Sequence, residues 1–128
     1  MDKFQFSLTD RGDLIVLTAV IRSEIFSLST GLDSSKLSLT SKFSLDVPYN
    51  KDIGETIQDF LDNKTQILNF KTFSDPTVLT QFYILNGVMH FVKKHRGETF
   101  EIELTEQQKQ SVLSIFRTTV EIINARAK

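Results

Sequence analysis

The chain has 128 residues, of which 40% are hydrophobic and 24% charged, and its formal net charge is −1. These values are typical of one ordinary soluble domain, and we expect a single domain over residues 1–128. The absence of cysteine excludes disulfides, thiol catalysis and cysteine-ligated zinc, and the near-neutral charge predicts no overall attraction to nucleic acid or membrane.

The first thirty residues predict three strands. Residues 3–8 alternate polar and apolar side chains, which is typical of a strand with one wet face. Residues 14–21 are apolar on both faces, which indicates a central strand or a strand covered by a partner subunit. Residues 22–24 (Arg-Ser-Glu) suggest a tight reversal before a third strand over residues 25–30.

Residues 36–47 carry the clearest strand signal of the chain. Their odd positions are mostly apolar and their even positions polar, as expected for a long strand with one wet face. Pro48 ends this fourth strand because proline cannot donate to the ladder. A helix capped by Asp52 follows and stops at Asn63, although Ile67 and Leu68 would also fit a longer helix.

The second half predicts three more strands and a closing helix. Residues 66–73 are ambiguous between helix and strand, and strands are expected over residues 78–85, 88–94 and 99–104. Asn86-Gly87 predicts a tight hairpin turn between the first two, because both residues tolerate positive φ. From Thr105 to Arg126 the chain predicts an amphipathic helix, opened by a capping box with Gln108.

Together these elements predict an α+β fold. We expect an antiparallel sheet of seven to eight strands with two helices, in the order ββββα then (β)βββα, closed by the C-terminal helix. The helices should pack on one face of the sheet or in its concavity. The sequence leaves open whether a small apolar ligand binds between the sheet and the helices.

The sequence offers no catalytic, nucleotide-binding or metal motif, so we expect no enzyme and no cofactor. His90 shares a strand face with two valines, which is typical of a structural histidine, and His95 lies in a polar turn without carboxylates at metal-ligand spacing. The N-terminus lacks the apolar core of a signal peptide, and no run is long enough to span a bilayer, so we expect a cytoplasmic protein without membrane contact.

One basic cluster is the candidate binding site. Lys93, Lys94 and Arg96 stand at a predicted hairpin tip, with Tyr83 nearby in the sheet. Cations beside an aromatic ring on a sheet suit single-stranded nucleic acid, whose phosphates bind the cations and whose bases stack on the ring. The alternative interpretation is an ordinary solvated turn.

The leading functional hypothesis is a non-enzymatic protein-interaction module of the adaptor, inhibitor, immunity or chaperone type. Its binding surfaces would be the doubly apolar strand over residues 14–21 and the Ser/Thr-faced strand over residues 36–47. The partner would be another protein or a second copy in a homodimer. Single-stranded nucleic acid binding at Lys93–Arg96 is the alternative hypothesis.

Overall fold

The computed structural model describes residues 3–26, 36–71, 78–95 and 97–127. These residues form seven strands and two helices, in the order β1 (Lys3–Asp10), β2 (Ile15–Phe26), β3 (Lys36–Val47), α1 (Lys51–Leu61), β4 (Ile67–Lys71), β5 (Val78–Leu85), β6 (Val88–His95), β7 (Glu98–Glu103) and α2 (Glu106–Arg126). The predicted α+β class, the two helices and the closing C-terminal helix are therefore confirmed.

The strands form two sheets, so the prediction of one sheet of seven to eight strands is wrong. Sheet A has the order β1-β2-β3 and sheet B the order β4-β5-β6-β7, and both are antiparallel. Their inner faces meet through aromatic rings: Phe4 packs on Phe91 at 5.6 Å, and Phe6 on Phe82 at 5.5 Å, between ring centroids. Two facing sheets cover each other's apolar faces. In one open sheet, the two helices alone would have to cover the apolar face.

The predicted reversal at Arg22-Ser23-Glu24 is also wrong. These residues continue β2, whose pairing with β3 runs without a break from Ile15 opposite Val47 to Phe26 opposite Lys36. The element order is therefore βββα followed by ββββα. Pairing with a twelve-residue neighbour strand overrides three polar residues that favour a turn locally. Residues 27–30 of the predicted third strand lie outside the described residues.

The ambiguous segment over residues 66–73 is a strand in most of its described part, and residues 72 and 73 lie outside the described residues. Residues 67–71 form β4, which pairs with β5 from Ile67 opposite Tyr83 onward. The predicted hairpin turn is confirmed, because Asn86 and Gly87 have φ values of 52° and 81°.

The cap of helix α1 lies two residues earlier than predicted. Its cap is Asn50, whose side chain accepts hydrogen bonds from the amides of Asp52 and Ile53, so the prediction of Asp52 as the cap is wrong. The helix ends at Leu61, and Asn63 takes a left-handed conformation with φ 60°, which confirms the predicted stop.

Helix α2 closes the core between the sheets. The capping box is present: the Gln108 amide donates to the Thr105 hydroxyl at 3.2 Å, and the Thr105 amide donates to the Gln108 side chain at 2.9 Å. The buried residues of the helix are Val112, Phe116, Thr119, Val120 and Ile123. Phe116 contacts rings from β1, α1, β4 and β5, so this one side chain joins both sheets and both helices.

The C-terminal end of α2 is tied to the first hairpin. Arg126 pairs with Asp10 at 3.1 Å between Nη2 and Oδ2, and its guanidinium lies 5.3 Å from the Tyr49 ring. The Tyr49 hydroxyl and the Gly12 amide both donate to the other Asp10 oxygen. The Tyr49 hydrogen bond is the main reason that the pKa of Asp10 is lowered, and the Gly12 amide adds to the effect.

Candidate functional site

The outer face of sheet A is a largely polar strand surface. We define it by the side chains that point away from the core: Lys3, Gln5, Ser7 and Thr9 of β1, Val16, Thr18, Val20 and Arg22 of β2, and Lys42, Ser44 and Asp46 of β3. The opposite face of the central strand β2 is buried in the core, since Ile15, Leu17 and Ile21 are at most 1% exposed. Val16, Thr18 and Val20 are half-buried, so β2 has one face in the core and one face only partly covered.

The strand register brings three cations together at one end of this surface. Lys3 lies directly opposite Arg22, and Lys42 is the diagonal neighbour of Arg22, because Arg22 pairs with Thr40. Directly opposed residues lie about 5 Å apart and diagonal neighbours about 7–8 Å. Asp46 lies on the same face, four residues from Lys42 and therefore about 13 Å away. We call Lys3, Arg22 and Lys42 the cationic end of sheet A.

The outer face of sheet B is built around a stacked aromatic pair. Tyr83 lies opposite His90, and the two rings are parallel within 2° with centroids 4.5 Å apart. The Tyr83 hydroxyl donates to Glu101 at 3.0 Å, and the same carboxylate oxygen lies 3.5 Å from Nδ1 of His90. Burial and the hydrogen bond to Glu101 raise the pKa of the Tyr83 phenol. The ring is therefore held in place rather than free to rotate.

Exposed apolar side chains border this pair at the β5–β6 hairpin end. Ile67, Leu85 and Val88 are 48%, 57% and 38% exposed. Scattered single exposures are ordinary, but these three flank Tyr83 on one face of the sheet. The outer face of sheet B is thus more apolar at this end and acidic at the β7 edge, where Glu101 and Glu103 stand.

The four predicted site residues do not form one cluster. Lys93 points to the inner side, where its Nζ lies 4.2 Å from the centroid of the Phe43 ring, and burial lowers the pKa of its ammonium. Lys94 points to the outer side, on the same face as Tyr83. It lies four residues further along β6 than His90, the residue opposite Tyr83. Arg96 lies outside the described residues. Adjacent residues of a strand face opposite ways, which separates the two lysines.

The cationic end of sheet A was missed by sequence reasoning. Arg22 was assigned to a turn, and Lys3 and Lys42 are 39 residues apart in the chain, so no local charge cluster marks them. The usable signal was the alternation of residues 3–8 and 36–47, which places both lysines on the wet faces of their strands. Only the register with β2 brings them together.

Two further features bear on function. Among the residues that the structure describes, no three histidine, aspartate or glutamate side chains converge as a metal site. Neither described helix is both long enough and apolar enough to cross a membrane.

These features define an α+β protein with two facing antiparallel sheets, two helices and a partly cationic outer sheet surface. No protein-family model matches the chain, and the comparison with curated proteins gives no match. Among solved structures, the chain is similar to one described as crystal structures of MRP1/MRP2 from Trypanosoma brucei. The TM-score is 0.51 and the identity 12%, over 98% of this chain and 85% of the other. At this identity the likeness establishes the shared fold alone.

Proposed function

We propose that the protein is a non-enzymatic interaction module that binds a protein partner, or a second copy of itself, through the outer face of sheet A. The observation that carries the proposal is the central strand of that sheet. Val16, Thr18 and Val20 are only half-buried, and side chains of β1 and β3 continue the same surface on both sides. Partly exposed β-branched side chains on a central strand gain free energy when a partner covers them.

The outer face of sheet A is smaller than a standard protein interface. Three strands about 4.8 Å apart and eight residues long cover roughly 400 Å². A standard stable interface buries about 800 Å² on each side, so a partner must also contact residues beside the sheet. The adaptor, inhibitor, immunity and chaperone types all fit this mode, and the surface does not separate them.

A pair of matched variants tests the proposed surface. Val20→Glu places a charge on the outer face of sheet A, while Val88→Glu makes the same change on the outer face of sheet B, where Val88 is 38% exposed. Light scattering after size exclusion of the protein from its native lysate should show a dimer or a defined complex for the parent chain. Val20→Glu should abolish it and Val88→Glu should preserve it. A strictly monomeric parent chain, or equal behaviour of the two variants, would contradict the proposal.

A second candidate function is single-stranded nucleic acid binding, favoured by the cationic end of sheet A. Lys3 and Lys42 each neighbour Arg22 across the sheet, and three cations spaced in this way suit successive phosphates of a strand. The hydroxyls of Ser7, Thr18 and Ser44 continue this surface and can bond phosphate or sugar oxygens. Of the basic hairpin tip and its aromatic neighbour, Lys94 and Tyr83 face outward and remain candidates for the same ligand, whereas Lys93 faces the core.

Two triple variants separate this candidate from the first and locate the site. Lys3, Arg22 and Lys42 are changed to Gln in one variant, and Lys93, Lys94 and Arg96 to Ala in the other. Fluorescence anisotropy with a labelled oligonucleotide then gives the affinity at several salt concentrations. Loss of three phosphate contacts should weaken binding and reduce the slope of log K against log salt by about 2 for a single strand. We expect this reduction in the first variant. Unchanged binding in both variants would remove nucleic acid as the partner of either surface.

A further inference from the structure

A cavity lies between the two sheets at their facing edges. β3 is the last strand of sheet A and β4 the first of sheet B, and α1 connects them in the chain. Because no ladder joins these two strands, their edges stand apart, and α1 lies across the gap. The resulting cavity has a volume of about 170 Å³ and is lined by Asp46 and Val47 of β3, Ile53, Thr56 and Ile57 of α1, and Leu68, Asn69 and Phe70 of β4.

The burial of the lining residues gives the cavity an apolar floor and a polar rim. Val47, Ile57 and Leu68 are at most 1% exposed and form the floor. Ile53 and Phe70 are half-buried and form the walls. The exposed lining residues, Asp46, Thr56 and Asn69, form the rim. A molecule that fits must therefore have an apolar body with a polar group at one end.

The volume sets the size of the body. An engineered apolar cavity of about 150 Å³ in another protein binds benzene. A cavity of about 170 Å³ therefore accommodates one aromatic ring with one small substituent. The Phe70 ring in the wall offers such a ring an edge-to-face or offset contact.

The rim sets the polar group. The side-chain oxygen of Asn69 already accepts a hydrogen bond from the Gln81 side chain at 2.8 Å. The side-chain nitrogen of Asn69 can therefore donate a hydrogen bond to a ligand. The Asp46 carboxylate only accepts hydrogen bonds when ionised. A hydroxyl can donate to Asp46 or accept from Asn69, whereas a carboxylate would be repelled by Asp46.

We propose that the β3–β4 cavity binds a small phenol-type compound, with the ring on the apolar floor and the hydroxyl at the polar rim. This site is separate from the cationic end of sheet A and does not depend on which macromolecule that surface binds.

Three probes of nearly equal size test the proposed chemistry: p-cresol, toluene and 4-methylbenzoate. Amide and methyl chemical shifts of the full chain, followed during titration, give the affinity and locate the site. We expect saturable shifts at Val47, Ile57 and Leu68 with p-cresol, and about fivefold weaker binding of toluene, which lacks one net hydrogen bond. The carboxylate of 4-methylbenzoate should prevent saturable binding over the same concentrations. Absence of saturable shifts with p-cresol, or binding of 4-methylbenzoate as tight as that of p-cresol, would overturn the proposal.

Variants of the lining test the location. Ile53→Phe fills the cavity from α1, and Glu55→Phe makes the same addition at an exposed position of α1 that does not line it. Ile53→Phe should weaken p-cresol binding at least about tenfold, and Glu55→Phe should leave it unchanged. If Ile53→Phe does not fold, Thr56→Phe takes its place at the rim. Asp46→Asn should allow 4-methylbenzoate to bind. Equal p-cresol affinity in the filled and control variants would place the binding elsewhere and overturn the proposal.

Discussion

Phe116 should be among the costliest side chains to truncate. It is fully buried on α2, and its ring contacts four others with centroids 5.2 to 6.1 Å away, namely Phe6, Phe60, Phe70 and Phe82. Truncating a buried phenylalanine to alanine costs about 3–5 kcal/mol, because the transfer free energy is lost and a cavity remains. Each well-placed aromatic pair adds about 0.5–1.5 kcal/mol beyond the buried area, so Phe116→Ala should fall at the upper end.

Phe100 provides the matched control for this prediction. It is 36% exposed on β7, and its one ring contact among the described residues is Phe43 at 6.0 Å. Phe100→Ala should therefore cost about 1–2 kcal/mol. Urea unfolding followed by circular dichroism gives both values, provided that the slope of the free energy against urea is unchanged. Equal losses for the two variants would refute the reasoning that α2 closes a shared core at Phe116.

Two further predictions concern the ends of the helices. Gly54 on α1 approaches α2 so closely that an added Cβ would lie 3.1 Å from Cγ2 of Ile123, so Gly54→Ala should be more favourable in an Ile123→Ala background than in the parent chain. A double-mutant cycle by urea unfolding should give a coupling of about 0.5 kcal/mol or more, and additive effects would contradict the contact. Tyr49→Phe removes the main cause of the lowered pKa of Asp10. The stability that this carboxylate contributes is fully present above its unfolded pKa of about 3.9 and is lost as the pH falls through the lower folded pKa. Unfolding measured from pH 6 to pH 2 should therefore depend less steeply on pH in Tyr49→Phe, and an unchanged profile would contradict the assignment.

Local signals in the sequence predicted local structure well. The capping box at Thr105 and Gln108, the Asn86-Gly87 turn and the alternation of residues 36–47 each depend on a few neighbouring residues, and each is present in the structure. Such motifs fix backbone conformation through hydrogen bonds and steric limits that span only three or four positions. They say nothing about which strands meet, and the division into two sheets could not be predicted from them.

The errors in the strands and sheets share one physical cause, which is that strand pairing acts over long separations in the chain. Arg22-Ser23-Glu24 favours a turn by composition, yet the ladder with β3 holds the segment extended over the full length of both strands. The pairing of β2 with both β1 and β3 assembles the cationic end of sheet A from Lys3, Arg22 and Lys42. A sequence scan for charge clusters finds neighbours in the chain and misses neighbours across a sheet.

The basic hairpin tip shows the converse limit, because residues adjacent in the chain can serve different purposes. Lys93 and Lys94 are consecutive, and a charge count treats them as one patch. The pleat sends Lys93 onto the Phe43 ring, where burial lowers the pKa of its ammonium, and leaves Lys94 on the outer face of sheet B. A partly buried ammonium over a ring stabilises the packing of β3 against β6, and its position on the inner side keeps it from direct contact with a phosphate on the outer face. Under the second candidate function, the cations to test first are therefore those that the register sets side by side on an outer face, as it does for Lys3, Arg22 and Lys42.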